Sequence, residues 1–215
     1  MGKKEEEETK IFKTGTTTVG LICSDGVVFG TDTRATFASY IASVEARKVF
    51  KIDNTLAMTI AGGVGDAQEL VRILKAQSEI YKMSEGRPMS PKSATTLMSI
   101  ILQQNKMLPF YVELLMGGLD GDVPQLFSLD PAGGYSEETR FSATGSGSLT
   151  ILGYLEDMYR KGMSTKEGAK SVAKAIALAM KRDSATGDSI RVVTITKSGY
   201  TEYFGKDLEK LIAAK

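Results

Sequence analysis

Residues 13–20, KTGTTTVG, mark the point where this chain changes character. Before it, residues 1–15 are mostly polar and carry the acidic run Glu5-Glu6-Glu7-Glu8, a composition that suits a solvated extension better than a packed element. After it, TTTVGLICS and VVFGTDT are rich in strand formers, and Asp25-Gly26 between them is a two-residue hairpin signal. Threonine is β-branched and fits a strand, so propensity alone accounts for Thr17 and Thr18. It does not account for Gly15 standing directly before Thr16.

Downstream the same reading extends. RKVFKI and TLAMTIAG look like a second strand pair joined around Asp53-Asn54. The period then lengthens: Gly65 to about Ser84 reads as one helix and Ser90 to about Met107 as another, with Ser90-Pro91 supplying an N-cap and a first-position proline. FYVELLMGG, PQLFSLD and TRFSATG return to strand patterning. Helices are expected over about Ser148–Lys161 and Ser164–Arg182, then a hairpin around Ser198-Gly199 and a short terminal helix. Hairpin connections imply antiparallel sheets, and strand blocks separated by helix pairs imply two sheets packed together with helices outside. One domain over residues 16–215, preceded by a short tail, is expected.

Composition narrows the chemistry. The 215 residues carry 27 Lys+Arg against 26 Asp+Glu, a formal charge of +1, so no global field attracts nucleic acid. No apolar run is long enough to span a bilayer and the N-terminus lacks a secretory h-region, which together predict a cytoplasmic protein. The single cysteine, Cys23, forbids an internal disulfide and reads as a small buried hydrophobe. There is no histidine at all. Ser-His-Asp catalysis, Cys-His catalysis and histidine-ligated metals are thereby excluded together.

Other motifs fall short of a function. AGGVGDAQ and TGSGSLT are glycine-rich turns leading into helices, but both miss the third position of a dinucleotide fingerprint, and neither contains the Gly-Lys-Ser/Thr of a P-loop. Asp120 and Asp122 in GLDGDVP lack the remaining ligands of a calcium loop and read as a hairpin turn. Threonine remains. An N-terminal threonine can use its own α-amino group, which titrates near ~7.7–8.0, as the base that histidine supplies elsewhere. Thr16 is internal, so such chemistry requires removal of residues 1–15, and Gly15 leaves the scissile bond sterically open.

GTTTVG, TDTRAT, RKVFKI, TIAGGVGDAQ, TGSGS and RDSATGD, in this order, resemble the proteasome β subunits, most closely the archaeal type. The resemblance runs from Gly15 to the last hairpin. It implies an α+β fold: a four-layer αββα sandwich of two antiparallel sheets between helix layers, with an N-terminal-nucleophile hydrolase activity. It also implies a precursor that cuts itself at Gly15-Thr16.

On this resemblance Thr16 is the nucleophile. Lys48 is the active-site lysine, whose positive charge favours the free amine, and Asp32 is the carboxylate that keeps the lysine charged. Gly62 supplies an oxyanion-hole N–H, while Ser146, Asp183 and Thr186 hold the terminal amine. The family usually has serine where Thr186 stands. Thr36 is expected to hold the substrate backbone, and Ala35, Ala46, Ile60 and Val64 to line an apolar specificity pocket.

The implied assembly is a stack of seven-membered β rings between α-subunit rings, fed with unfolded polypeptide by a regulatory ATPase, with no cofactor, no nucleic acid and no membrane involved. Two other readings stay open: a different N-terminal-nucleophile amidase acting on a small amide, and a catalytically silent ring subunit, which would be expected to lose Thr16 or Lys48.

Overall fold

The computed structural model describes residues 15–37 and 40–214, so the acidic extension lies outside the described residues. Strands β1 (Thr17–Cys23), β2 (Gly26–Asp32), β3 (Ala35–Phe37), β4 (Tyr40–Ser43), β5 (Val49–Asp53) and β6 (Leu56–Gly62) precede helices α1 (Val64–Glu85) and α2 (Pro91–Gln104). Next come β7 (Val112–Asp120), β8 (Val123–Leu129), β9 (Tyr135–Glu137) and β10 (Phe141–Gly145), then α3 (Ser148–Met158) and α4 (Thr165–Ala179). The chain closes with β11 (Ile190–Thr196), β12 (Gly199–Phe204) and α5 (Lys206–Ala213).

The strands form two five-stranded sheets, ordered β10-β1-β2-β11-β12 and β5-β6-β7-β8-β9, beside a two-stranded β3-β4 ribbon. Every pairing is antiparallel. Because side chains alternate across a strand, each central strand feeds two cores at once. On β1, Val19, Leu21 and Cys23 pack with Val172 and Ile176 of α4 and Ile151 of α3. On β6, Leu56, Met58 and Ile60 pack with Leu70 and Leu74 of α1 and Met98 of α2. Val27, Phe29, Ala57, Leu115, Leu126 and Val193 fill the layer between the sheets. Helices, sheet, sheet, helices: the expected four-layer sandwich is the fold.

Local signals act where the sequence placed them. Ser90 caps α2, accepting from the Ser93 N–H at 3.1 Å, and Ser164 with Glu167 forms a reciprocal capping box at the start of α4. The β7–β8 turn falls at Gly121-Asp122, as expected for the GLDGDVP stretch.

Three details differ from expectation. The first hairpin turns at Ser24-Asp25, with Cys23 paired to Gly26. Gly26 is a strand residue because a Cβ there would lie 2.0 Å from the Ile195 carbonyl oxygen. The close approach of β11, not a turn conformation, requires the glycine. The late hairpin likewise turns one residue early, at Lys197-Ser198, with Thr196 paired to Gly199. Finally, β3, β4 and β9 carry no strand signal in the sequence, since strands of three or four residues are too short to display alternation.

Candidate active site

Asp32 ends β2 and Lys48 immediately precedes β5, so the site straddles the junction between the sheets. The Asp32 carboxylate is wholly buried and accepts four hydrogen bonds. Its Oδ1 takes Thr17 N–H at 3.0 Å and Lys48 Nζ at 2.7 Å; its Oδ2 takes Arg34 N–H and Gly187 N–H, each at 3.1 Å. A carboxylate so fully satisfied can sit in the interior as an anion. Lys48 is 5% exposed and also donates to the Arg34 carbonyl. Burial pushes its pKa below the ordinary lysine value, and the Asp32 charge and hydrogen bond only partly offset this. The result is a held, interior cation with a weakened grip on its proton.

Thr16 is itself buried and precedes β1. Its hydroxyl donates to the Gly15 carbonyl at 2.8 Å, and its own carbonyl accepts from the Ser146 N–H at 3.0 Å. Thus the side chain lies against the very peptide bond that links it to Gly15. Gly15 N–H donates to Thr36 Oγ1 at 2.7 Å, and a Cβ at Gly15 would lie 2.0 Å from Ala185 Cβ.

A second polar cluster closes on Thr16 from the β10–α3 turn and the loop after α4. Asp183 Oδ2 accepts from Ser146 Oγ at 2.5 Å and from Thr186 Oγ1. Its Oδ1 accepts from Ala185 N–H at 3.1 Å. Burial alone would raise the Asp183 pKa; these donors and the Lys48 charge outweigh it, so the pKa lies below the ordinary carboxylate value. Thr186 is 1% exposed, and its Oγ1 also meets Thr17 Oγ1 at 2.5 Å. The hydroxyl that threonine shares with serine is fully engaged here, and the additional methyl is accommodated.

Beside these groups opens a cavity of about 550 Å³, lined in part by Gly15, Thr36, Gly62, Glu113, Ser146 and Asp183. Gly62 ends β6 with φ 132°, and a Cβ there would collide with the Tyr111 carbonyl oxygen at 2.0 Å, so this cavity wall is glycine by necessity. Ala35, Ala46, Ile60 and Val64 are not among the residues lining this cavity. Ile60 is buried between its sheet and α1/α2, Val64 is 58% exposed at the start of α1, and the two alanines are half-buried.

The structure adds residues to which sequence reasoning gave no role. Arg34 clamps the loop after α4: its Nε and Nη2 donate to Asp188 at 3.0 and 3.2 Å, and its Nη1 to the Ser184 carbonyl at 2.8 Å. Its position inside TDTRAT was the available signal. Thr17, accounted for above as a strand residue, joins both clusters, since its Oγ1 also accepts from Gly147 N–H at 3.0 Å. Glu113, a carboxylate on β7 that accepts from Gly145 N–H at 2.9 Å, carried no local signal.

Together, the contacts set the Thr16 hydroxyl against the Gly15 carbonyl and tie the next residue, Thr17, through its N–H to the carboxylate that holds the buried lysine. Among the described residues no group of three or more His, Cys, Asp or Glu is placed to hold a metal ion, and no helix is long and apolar enough to cross a membrane.

Comparison with known proteins points to one family. A family model described as "Proteasome subunit" matches residues 12–195. The chain is 49% identical over 207 residues to the proteasome subunit beta of Methanococcus vannielii, covering 96% of this chain and 94% of that protein. It is 51% identical over 186 residues to the proteasome subunit beta of Methanosarcina thermophila, covering 86% and 89%. The corresponding protein of Methanocaldococcus vulcanius is 48% identical over 199 residues, covering 92% and 89%.

Proposed function

This chain belongs to the proteasome subunit family as a β subunit of the core particle, a protease, and from that premise we propose that it is a threonine-type endopeptidase matured by its own cleavage at Gly15-Thr16. The observation that carries this reading is the Thr16 hydroxyl lying 2.8 Å from the Gly15 carbonyl oxygen, so that the nucleophile already touches the bond it would cut.

Cleavage removes residues 1–15 and turns the Thr16 amide into an amine. In each later turnover the amine takes the Thr16 hydroxyl proton as the oxygen attacks a substrate carbonyl, and returns a proton to the leaving amine. An ester to Thr16 forms, and water hydrolyses it with the same amine as base. The Lys48 charge favours the unprotonated amine, and Asp32 holds that charge in place. Ser146, Asp183 and Thr186 orient the amine. The Gly62 N–H faces the developing oxyanion, a contact worth ~10²–10³ in rate where such donors have been removed. Thr36, which holds the Gly15 N–H, would hold a substrate backbone in the same way.

The same reading places the subunit in seven-membered β rings stacked between α-subunit rings, in the cytoplasm, with an ATPase delivering unfolded polypeptide. The apolar set Ala35, Ala46, Ile60 and Val64 remains a proposal for side-chain selection near the site.

Intact-mass measurement of the chain co-assembled with α subunits tests the reading. A species beginning at Thr16 in the wild type, and a full-length inactive chain in Thr16→Ala, is expected. Peptide hydrolysis by a fully assembled Thr16→Ala particle would overturn it.

A further inference from the structure

Three threonine hydroxyls meet in the layer between the sheets, directly behind the site. Thr18 Oγ1 lies 2.9 Å from Thr59 Oγ1 and 2.7 Å from Thr144 Oγ1. Thr18 and Thr144 are register partners on β1 and β10 of one sheet, whereas Thr59 belongs to β6 of the other. Thr18 and Thr59 are wholly buried and Thr144 is 8% exposed. Most of the rest of that layer is apolar, and the one further hydroxyl beside Thr18, that of its β2 register partner Thr31, is buried and bonds to none of the three. Thr18 has one proton to give, so it accepts in at least one of these two bonds, and the three hydroxyls form one connected group.

Each end of the inter-sheet bond is tied to the chemistry. Thr18 follows Thr17, whose N–H is held by Asp32. Thr59 precedes Ile60, whose N–H donates to the Lys48 carbonyl at 3.0 Å, and β6 runs on to end at Gly62. We propose that the Thr18–Thr59 hydrogen bond is a positioning contact that sets the spacing between the strand bearing Thr16 and the strand that anchors Lys48 and presents Gly62. Thr59 is the positioning residue on the second sheet. Apolar side chains there would fill the layer without fixing a distance, because their attraction is non-directional. A displacement of ~1 Å between catalytic groups can cost ~10² in rate.

This inference rests on the threonine-hydrolase reading above. It is tested in the assembled particle with Thr59→Val, which keeps the shape but removes the hydroxyl, and Thr59→Ser, which keeps the hydroxyl. Thr18→Val reaches the same bond from the other sheet should Thr59→Val fail to assemble. Thr59→Val is expected to lower kcat for a fluorogenic peptide roughly 10-fold with KM within about twofold, and Thr59→Ser to recover most of it. Thr144→Val, which leaves the inter-sheet bond in place, should cost less. Wild-type kcat in Thr59→Val, a loss in Thr59→Ser equal to that in Thr59→Val, or a loss in Thr144→Val equal to that in Thr59→Val would each overturn the proposal. Activity surviving in Thr16→Ala, by contrast, would remove the underlying mechanism and not this contact in particular.

Discussion

Asp32 Oδ1 and Lys48 Nζ form a 2.7 Å ion pair with neither partner exposed beyond 5%. Isolated charges would not be stable there, and the pair persists because Asp32 also takes three backbone N–H groups and Lys48 one carbonyl. Those extra bonds join β1, β2 and the loop after α4 to a single carboxylate. The pair therefore organises the site as well as charging it.

Lys48→Arg should fail even though it keeps a cation. The planar guanidinium does not fit a position shaped for one ammonium bridging Asp32 Oδ1 and the Arg34 carbonyl. Peptide hydrolysis is expected to fall ~10²-fold or more, measured as kcat on particles of confirmed assembly. Asp32→Asn should be comparably damaging, and it should also lower thermal stability because it leaves Lys48 buried without its counter-charge.

Gly15→Val addresses maturation. With only 2.0 Å between a Cβ at that position and Ala185 Cβ, the chain must shift, and the Thr16 hydroxyl loses its place against the Gly15 carbonyl. Intact-mass time courses should show processing slowed roughly tenfold or more. Unchanged processing would mean that this contact plays no part.

Thr186 separates hydroxyl from shape. Thr186→Ser retains the bonds to Asp183 and Thr17 and should leave kcat within about threefold, whereas the near-isosteric Thr186→Val removes one bond from each partner and the link between them, and should cost ~10-fold or more.

The loop clamp makes a separate expectation. Arg34→Lys gives up the two-pronged contact with Asp188 and the bond to the Ser184 carbonyl. A point charge cannot reproduce a fork, so the segment carrying Asp183 and Thr186 should loosen. A drop of roughly 3–10-fold in kcat with little change in thermal midpoint is expected, since the pair is partly exposed.

Acid behaviour follows from Asp183. Its folded pKa lies below its ordinary 3.8, so the stabilisation it brings is present above that value and is lost as pH falls through the lower folded value. Ser146→Ala removes one donor to the carboxylate and brings its pKa back up. The acid-unfolding midpoint of the mutant, followed by circular dichroism, should therefore move to higher pH.

The helices were legible because their apolar positions recur every three to four residues and their caps, Ser90 and Ser164, are explicit in the sequence. The central strands were legible because both their faces are buried, which makes near-continuous β-forming runs. Turn positions slipped by one at Gly26, where glycine serves the close approach of β11, and at Gly199, where it serves a φ of 98° at the residue just after the turn. Thr16, Lys48 and Asp32 were legible only as a constellation. What stayed hidden was the second use of ordinary residues. Thr17 and Thr18 satisfy strand propensity, and nothing local tells that one hydroxyl reaches Thr186 and the other crosses to Thr59.

Gly15 is both the residue before the proposed cleavage point and a wall of the cavity beside it. On that proposal, while the bond is whole Gly15 is a tethered, stoichiometric blocker, holding the Thr36 hydroxyl that an incoming chain would need. Latency and activation would then be one covalent event, the first bond the subunit breaks being the one that had silenced it. A single-turnover act on itself would set how many sites later become multiple-turnover, and the fraction of chains beginning at Thr16 would be a direct count of active centres.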